Sequence, residues 1–358
     1  MKALVTGGGG FLGGAIVRQL HARGDRVTAL GRNRYPDLER LGIATVQVDI
    51  RDADALRKAC AGMDVVLHVA ALPGIWGKRS TFWAINVDGT RNVIDACRQV
   101  RVPRLVYTSS PSVVFGEAPL CGVDESQPYP DRYLADYPET KAVAERMVLE
   151  ANGPNLATVA LRPHLIWGPG DPHLIPRIVD RARRGRLVQV GDGTNLVDIT
   201  YIDNASTAHL LAADALLASP ERCGGRAYFI SQAEPVAIWS WIGGLLERLG
   251  VAPVRRRVSY ASARRAGWLL ERMYKLLGIT AEPPMTRFLA SQLARSHYFD
   301  TAAARRDLGY EPVVTTALGL DRLIDWLKGA DRSGVDGSAE GAGGEPAGRV
   351  VSSAGQSQ

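Results

Sequence analysis

Three side chains in this sequence have the types and the spacing needed to move a proton onto a carbonyl oxygen. Tyr137 and Lys141 stand four residues apart, which places a phenol and an ammonium on one face of a helix. An ammonium beside a phenol lowers the phenol pKa from its usual ~10, so the proton exchanges nearer to neutral pH. Ser110 follows a strand-like run and can donate a hydrogen bond to the same oxygen, with Ser109 and Ser112 as alternatives. Turn capping is the other role open to each serine. The pattern predicts proton transfer to or from a carbonyl compound.

A glycine-rich loop lies near the start of the sequence, between a strand-like run and a helical one. Gly7, Gly10 and Gly13 follow the spacing G-x-x-G-x-x-G. The first glycine permits a tight turn, the second lets the backbone approach a pyrophosphate, and the third lets the helix pack on the strand. The unpaired N–H groups and the positive dipole end of that helix attract phosphate. The loop predicts a dinucleotide site, with an ordinary flexible loop as the alternative.

The end of the second predicted strand bears on which dinucleotide binds. Gly31 stands where a carboxylate usually hydrogen-bonds the ribose 2′-hydroxyl of the adenosine. Arg32, with Arg34 close behind, carries a guanidinium that can neutralise a 2′-phosphate. These residues favour NADP(H) over NAD(H), and two solvated surface arginines are the alternative.

The positions of these candidates depend on an alternation of short apolar runs with longer helical patterns, which is typical of βαβ units and a parallel sheet. The predicted strands are 3–6, 26–30, 45–48, 65–69, 105–109 and 157–161, and the predicted helices are 12–21, 53–59, 86–98 and 137–151. Both the glycine loop and Ser110 follow strands, so both fall at the carboxyl edge of the sheet, where open α/β sheets bind ligands. The predicted fold class is α/β, a Rossmann-type doubly wound parallel sheet with a smaller C-terminal substrate-binding lobe.

The pattern loosens beyond residue 168, which suggests a second part of the chain. We predict an NAD(P)-binding domain over 1–170, to which some later segments return, a substrate-binding lobe over 171–330 and a disordered tail over 331–358. Within the lobe, the sequence predicts a basic helix over 178–186, a hairpin-like stretch over 187–200 and a helix over 239–249. An arginine-rich stretch follows over 255–277.

Composition and charge narrow the functional classes. The 358 residues carry 43 Lys and Arg against 37 Asp and Glu, a net charge of +6, which is too small an excess to argue for nucleic acid. The four cysteines lie far apart without a C-x-x-C pair, which favours free thiols in a reducing compartment and argues against a metal site. No leader segment is recognisable and no apolar run approaches about 18 residues, so the expected location is cytoplasmic.

Taken together, the motifs resemble an extended short-chain dehydrogenase/reductase. The resemblance rests on the glycine loop, Ser110, Tyr137 and Lys141, and on further matching segments: Asp49, 64–71, 86–90, Arg162-Pro163 and 300–312. It covers residues 1 to about 330 and implies the fold class given above.

Within that superfamily, the segment 107–113 is similar to the 3β-hydroxysteroid dehydrogenase branch. Segments 160–171, 198–205, 228–231 and 282–289 resemble 2-alkyl-3-oxoalkanoate reductases, which act in olefin and β-lactone biosynthesis. The resemblance implies NADPH-dependent reduction of a 2-alkyl-3-oxoalkanoate, a long-chain β-keto acid, to the 2-alkyl-3-hydroxyalkanoate. One alternative is an NAD(P)-dependent 3β-hydroxysteroid or sterol dehydrogenase. The alternative outside enzymes is an NADP-binding sensor or scaffold.

The resemblance also implies roles for individual residues. Tyr137 would be the acid/base, Lys141 its pKa partner and a nicotinamide-ribose contact, and Ser110 the hydroxyl that orients the carbonyl. Asn86 would hold a proton-relay water. The other cofactor contacts would be Gly7, Gly10, Phe11, Leu12, Gly13, Arg32, Asp49, Ile50, Ala70, Ala71 and Pro163.

The substrate side is the least constrained part of the prediction. Trp76, Ser112 and Trp167 follow cofactor-side strands, and we expect them to line the substrate site of a hydrophobic small molecule. We expect no nucleic-acid partner and no metal. A homodimer, an assembly with pathway enzymes and peripheral membrane contact through the basic 255–277 stretch all stay open, as does a solvated helix face.

Overall fold

The computed structural model describes residues 1–333, with side chains described as far as residue 329. The strands in chain order are β1 (Lys2–Thr6), β2 (Arg26–Gly31), β3 (Ala44–Gln47), β4 (Val65–His68), β5 (Arg104–Thr108), β6 (Leu120–Val123), β7 (Ala157–Pro163), β8 (Ile166–Trp167), β9 (Val188–Val190), β10 (Leu196–Val197), β11 (Thr200–Tyr201), β12 (Arg226–Ile230), β13 (Val236–Ala237), β14 (Arg256–Val258) and β15 (His297–Phe299).

The α-helices in chain order are α1 (Phe11–Ala22), α2 (Pro36–Arg40), α3 (Ala53–Cys60), α4 (Arg79–Phe82), α5 (Gly89–Gln99), α6 (Asp136–Glu150), α7 (Leu174–Arg183), α8 (Ile202–Ala218), α9 (Pro220–Cys223), α10 (Ile238–Arg248), α11 (Tyr260–Leu276), α12 (Arg287–Ala294), α13 (Ala302–Leu308) and α14 (Thr316–Ser333). A π-helical turn covers Trp83–Asp88, and a 3-10 turn covers Pro111–Val114.

The main sheet has seven strands in the order β12-β7-β5-β4-β1-β2-β3, and all its pairings are parallel. The chain runs from β1 outward to β3 and then returns to build the other half from β4 outward. The strand order therefore reverses between β1 and β4, and such a switch point leaves a crevice at the carboxyl edge of the sheet. The predicted Rossmann-type class is confirmed.

The strands of this sheet are apolar on both faces because helices cover both faces. In β1, Ala3 and Val5 pack on the side of α1 and α8, whereas Leu4 packs on the side of α3 and α5. All four residues of β4 are buried. The burial on both sides explains why the sequence shows continuous apolar runs rather than an alternation.

The two predicted parts of the chain exchange elements. From the second half, α8 packs on the main sheet and β12 extends it. From the first half, β6 leaves for the four-stranded sheet β13-β10-β15-β6. The hairpin-like interpretation of 187–200 is wrong, since β9 pairs with β14 and β10 pairs with β13 and β15. Strand propensity alone does not choose the partner of so short a strand.

Two predicted boundaries change in the structure. The basic helix over 178–186 is instead α7, which begins four residues earlier because the Asp171 carboxylate accepts hydrogen bonds from the N–H groups of His173, Leu174 and Ile175. The predicted tail over 331–358 overlaps the end of α14 at Ser333, and the rest of it lies outside the described residues.

The described residues contain neither a candidate membrane span nor a candidate metal cluster. No helix within residues 1–333 is both long and apolar enough to cross a bilayer. In the same part of the chain, no group of three or more His, Cys, Asp or Glu side chains is arranged to hold a metal ion.

Candidate active site

A cavity of about 640 Å³ opens at the carboxyl edge of the main sheet. Its walls start where β1, β2, β3, β4, β5 and β7 end, and the chain segments that follow these strands supply most of the lining. The cavity therefore occupies the crevice that the reversal of strand order creates. Elements distant in sequence meet there because parallel strands bring their carboxyl ends to one edge.

The glycine loop forms one wall of this cavity and matches the shape that a pyrophosphate needs. Gly7 has a φ of +68°, which favours glycine. A Cβ on Gly13 would lie 2.1 Å from the Gly7 carbonyl oxygen, so the start of α1 can pack here only without a side chain. No side chain caps the N-terminus of α1 and no acidic residue stands in its first turn. The free N–H groups and the dipole of α1 thus fit a bound phosphate.

The wall next to β2 contains a residue that the sequence did not single out. Tyr35 lines the cavity, and its hydroxyl lies 2.0 Å from the position that a Cβ on Gly31 would take. Its ring lies over Gly9 in the same way, with a hypothetical Cβ 1.8 Å from Cε1. The Tyr35 phenol therefore stands where the side chain of an acidic residue at position 31 would begin. No spacing rule connects the two positions in sequence, and Tyr35 is brought back by the turn into α2.

Arg32 and Asp49 both line this part of the cavity. The Asp49 carboxylate accepts a hydrogen bond from Arg51 Nη2 at 2.6 Å, and this contact, with help from the charge of Arg32, lowers the pKa of Asp49. Arg32 is exposed and lines the cavity, whereas Arg34 does not line it. Among the described residues, the Arg32 guanidinium is thus the one positive group that directly follows β2 and lines the cavity.

Every residue predicted to contact a cofactor lines this one cavity: Gly7, Gly10, Phe11, Leu12, Gly13, Arg32, Asp49, Ile50, Ala70, Ala71, Tyr137, Lys141 and Pro163. The set comes from the ends of β1, β2, β3, β4 and β7 and from the helices α1 and α6. Its shape and its uncapped helix fit an extended dinucleotide.

The predicted proton-transfer group reaches the same cavity from β5 and α6. Ser110, Tyr137 and Lys141 all line it. Lys141 is buried, its ammonium donates to the Thr108 carbonyl oxygen at 2.6 Å, and it lies 4.2 Å from the centre of the Tyr107 ring. Burial lowers the pKa of Lys141 to about 7. Tyr137 is in the first turn of α6, where the helix dipole favours negative charge.

The pKa of the Tyr137 phenol is not lowered by Lys141 as the sequence predicted. Burial raises the pKa of Tyr137, and the nearby Ser110 hydroxyl acts against that rise. The ammonium of Lys141 instead engages the Thr108 carbonyl group. In this structure the hydroxyl of Ser110, and not the ammonium, is the group that favours the phenolate.

The three candidate serines have different surroundings. The Ser110 hydroxyl lies 2.9 Å from the Ser112 hydroxyl and accepts a hydrogen bond from the Ser112 N–H group, so it also caps the short turn that follows. Ser109 is buried with no partner for its hydroxyl among the described residues. All three line the cavity, and Ser110 is the one that affects the pKa of Tyr137.

Asn86 does not line the cavity, but it hydrogen-bonds residues that form the cavity wall. Its amide oxygen accepts from Leu72 N at 2.7 Å, and its amide nitrogen donates to Leu72 O at 3.3 Å and to Thr140 Oγ1 at 3.1 Å. Every polar group of this amide therefore has a protein partner. The predicted water-binding role stays a prediction, and in this structure Asn86 links the loop at Leu72 to α6, with the π-helical turn directing the amide between them.

Trp167 is not a wall of the substrate site. Its side chain is fully buried and packs edge-on against Tyr201 and Trp241 in the core between the two parts of the chain. The sequence placed it correctly after a strand, but its side chain points away from the cavity because the alternation along β8 directs Ile166 there instead.

Trp76 lies beside the main cavity rather than in it. The indole N–H donates to the Ile279 carbonyl oxygen at 3.3 Å, and the ring meets Tyr274 edge-on. Its neighbour Ile75 lines the main cavity, while Trp76 lines a smaller one of about 280 Å³. The predicted role of Trp76 as a wall of the main site is therefore wrong by one residue.

The far wall of the cavity comes from residues that the sequence analysis left out. Phe115, Phe288 and Gln292 line it together with His164. His297 Nε2 donates to the Gln292 carbonyl oxygen, so its Nδ1 accepts from His164 Nε2 at 2.7 Å. The two histidines are 133 positions apart, and no local pattern could have paired them.

Comparison with known proteins agrees with this arrangement. The structure of MoeE5 in complex with UDP-glucose and NAD matches with a TM-score of 0.72 and 27% identity, covering 92% of this chain and 99% of that one. The chain is 49% identical over 325 residues to the 2-alkyl-3-oxoalkanoate reductase of Stenotrophomonas maltophilia, covering 90% of this chain and 98% of that protein. It is 47% identical over 328 residues to the 2-alkyl-3-oxoalkanoate reductase of Shewanella oneidensis, covering 90% and 85%.

The family assignment rests on a match that spans most of the chain. The model of the 3-beta hydroxysteroid dehydrogenase/isomerase family matches residues 4–259. That range includes the glycine loop and the Ser110, Tyr137 and Lys141 positions. The motifs indicated this branch, and the match confirms it. The chain belongs to the 3-beta hydroxysteroid dehydrogenase/isomerase family, within the extended short-chain dehydrogenases/reductases.

Proposed function

We propose that this protein is an NADPH-dependent reductase that converts the ketone of a 2-alkyl-3-oxoalkanoate to a hydroxyl group. The observation that carries the reaction type is the meeting of a phosphate-binding glycine loop with Ser110, Tyr137 and Lys141 in one cavity. The substrate class is supported by the two reductases that share 47% and 49% identity with the chain.

The protein's part of the reaction is to supply and control a proton. NADPH, when bound, supplies a hydride to the carbonyl carbon. The Tyr137 phenol donates its proton to the carbonyl oxygen, and the Ser110 hydroxyl hydrogen-bonds that same oxygen and holds it next to the phenol. General acid catalysis of this kind is worth about 10²–10⁴-fold in rate. The net change is one hydride and one proton added across the C=O bond.

We expect Lys141 to contact the nicotinamide ribose next to Tyr137. It is one helical turn after Tyr137 on α6, so the two side chains share a face. Thr108 holds it in place: its carbonyl oxygen accepts from the ammonium, and its hydroxyl donates to His209 Nε2 at 2.8 Å. His209 Nδ1 in turn donates to the Ala205 carbonyl oxygen, which fixes the tautomer. The ammonium acts only while it is charged, at pH values below its lowered pKa of about 7.

The proposed preference for NADPH is supported by the wall at β2. A carboxylate at position 31 would repel a 2′-phosphate, but Gly31 has no side chain and the neutral Tyr35 phenol stands there. Arg32 adds a positive charge that faces the cavity. A neutral hydroxyl and a guanidinium together suit a phosphate better than a ribose hydroxyl.

The walls beyond the nicotinamide end suit alkyl chains. Phe115, Leu165, Ile166 and Phe288 line this side, and they come from both parts of the chain. Apolar walls with a few polar groups at the reacting centre are typical of sites for hydrophobic substrates.

The test follows NADPH and NADH oxidation at 340 nm with a synthetic 2-alkyl-3-oxo fatty acid, beside a 3β-hydroxysterol with NADP and NAD. We expect NADPH-linked reduction of the keto acid. Sterol oxidation with NAD and no keto-acid turnover would overturn the proposal in favour of a sterol dehydrogenase.

A pair of variants tests the residue roles. Tyr137→Phe is expected to lose about 10²–10⁴-fold in kcat while NADPH binding stays nearly unchanged. Tyr133→Phe is the matched control, because that phenol donates to the Val113 carbonyl oxygen and does not line the cavity. If the wild-type protein binds NADPH and shows no turnover, the protein is a sensor and the enzyme proposal fails.

A further inference from the structure

The helix α11 packs on the rest of the protein through only a few buried residues. Its buried residues are Ala263, Gly267 and Glu271, spaced four apart. A Cβ on Gly267 would lie 2.6 Å from the Thr286 backbone, so the helix lies directly on the segment that leads into α12. Most of the other residues of α11 are exposed to solvent.

The outward side of α11 is apolar to a degree that is rare on a soluble surface. Leu276 is 87% exposed and Leu277 is 65% exposed. With the rest of the set they form what we call the α11 face: Trp268, Leu269, Met273, Leu276, Leu277 and Ile279. Leu269, Met273 and Leu276 follow the i, i+4, i+7 spacing that places side chains on one side of a helix.

Positive charge surrounds this face. The cations on β14 and α11 are Arg255, Arg256, Arg257, Arg265, Arg272 and Lys275, and none of them forms an ion pair with a described residue. The nearby acidic groups are already engaged, since Glu271 pairs with Arg287 at 2.8 Å and Glu117 pairs with Arg264 at 2.9 Å. Arg272 lies over the Trp268 ring at 4.4 Å, which joins the charged and apolar parts.

The α11 face adjoins the mouth of the active-site cavity. Beneath it, α12 contributes Phe288 and Gln292 to the cavity lining. At its end, Tyr274 and the Ile279 carbonyl group hold Trp76, whose neighbours in the same loop line the cavity. A surface bound at the α11 face would therefore lie close to the route into the site.

We propose that the α11 face binds the surface of an anionic phospholipid bilayer. Exposed leucine, methionine and tryptophan side chains bury in the headgroup layer, while the unpaired arginines contact lipid phosphates. A protein partner with an acidic rim would also meet the charges, but six exposed apolar side chains interleaved with unpaired cations match a phosphate-covered apolar layer better. Binding there would let alkyl chains pass from the lipid to the cavity. This inference does not depend on which ketone is reduced.

Flotation with vesicles tests the proposal on the full-length protein. Vesicles of phosphatidylcholine with phosphatidylglycerol are expected to carry the protein, vesicles of phosphatidylcholine alone to carry much less, and high salt to weaken binding. The variant Leu269→Ser/Leu276→Ser is expected to lose about tenfold in affinity for each leucine. Leu217→Ser on α8 is the matched control, because Leu217 is 53% exposed and Leu269 is 52% exposed.

The charge contribution is tested separately. Arg265→Gln/Arg272→Gln is expected to weaken binding to anionic vesicles, and Arg57→Gln/Arg91→Gln, which removes two exposed arginines far from the α11 face, is expected to leave it unchanged. Circular dichroism and NADPH binding check that each variant is folded. Failure of the wild-type protein to float, or equal flotation of the leucine variant, would overturn the proposal. The proposal would also be overturned if sedimentation showed that the wild-type protein is an oligomer and that the leucine variant is a monomer. In that case a second copy of the chain would cover the α11 face.

Discussion

Replacing Gly31 by aspartate should reverse the cofactor preference only when Tyr35 is made small in the same protein. A Cβ at position 31 would lie 2.0 Å from the Tyr35 hydroxyl and 2.9 Å from Cζ, well inside ordinary contact. A small shift of Tyr35 would not make room for the new side chain, because the Tyr35 ring also packs on Gly9. In Gly31→Asp the ring must therefore leave its position, and both NADPH and NADH should bind less well than in the wild-type protein.

The size of the expected switch follows from the charges involved. The new carboxylate at position 31 would repel the 2′-phosphate of NADPH. Two unit charges about 4 Å apart interact by roughly 4 kcal/mol at an effective dielectric of 20. Because the neighbouring Arg32 is exposed, solvent screens this region and reduces the repulsion to about 2 kcal/mol, or roughly 30-fold in NADPH affinity. Hydrogen bonds from a ribose to a carboxylate are worth about 1.5–3 kcal/mol. In Gly31→Asp/Tyr35→Ser, NADPH should weaken about 30-fold and NADH should strengthen about tenfold or more.

Titration of nicotinamide fluorescence measures both dissociation constants without depending on turnover. Tyr35→Ser alone is the control, because it removes the phenol and adds no charge. The reasoning is refuted if Gly31→Asp alone binds NADH more tightly than the wild-type protein, since Tyr35 would then be no obstacle. It is also refuted if the double variant keeps its NADPH affinity.

Further predictions concern buried groups. Since burial lowers the pKa of Lys141 to about 7, the ammonium is lost as pH rises through that value, and kcat/KM for ketone reduction should fall about tenfold per pH unit above it. Lys141→Arg should remove this dependence, and a flat wild-type profile from about pH 6 to about 9 would contradict it. Trp167→Ala should lower the free energy of unfolding in urea by about 3–5 kcal/mol with little change in KM, because Trp167 is core and lines no part of the cavity. Arg162→Met should cost about 3–5 kcal/mol by leaving the fully buried Glu145 carboxylate without its 2.7 Å partner. Arg162→Met/Glu145→Leu should be much less destabilised, and equal loss in the single and double variants would contradict this.

The sequence predicted the cofactor side of the cavity in detail. Each of those residues ends or follows a strand or lies in the first two turns of a helix, and the order of strands and helices is a local pattern. Once the sheet is parallel, its geometry brings all carboxyl ends to one edge, so a list of strand ends is nearly a list of neighbours. That is why thirteen scattered residues line one cavity.

The substrate side could not be predicted in the same way. Trp76 and Trp167 both follow strands, but whether such a side chain faces the cavity depends on a single step of alternation. Asn86 lies in a helical segment, as the sequence predicted. Its contacts with Leu72 and Thr140 depend on the π-helical turn, which the sequence pattern did not indicate. Phe288 belongs to a helix far along the chain.

Sequence alone determined the parallel sheet, the phosphate-binding turn and the spacing of Tyr137 and Lys141, because each of these depends on the conformation of a few consecutive residues. Only the tertiary structure decided that Tyr35 replaces a side chain at Gly31, that Lys141 donates to Thr108, and that the apolar side of α11 remains exposed. These are contacts, or missing contacts, between segments that fold back from different directions. Their free energies depend on distances that no local pattern encodes.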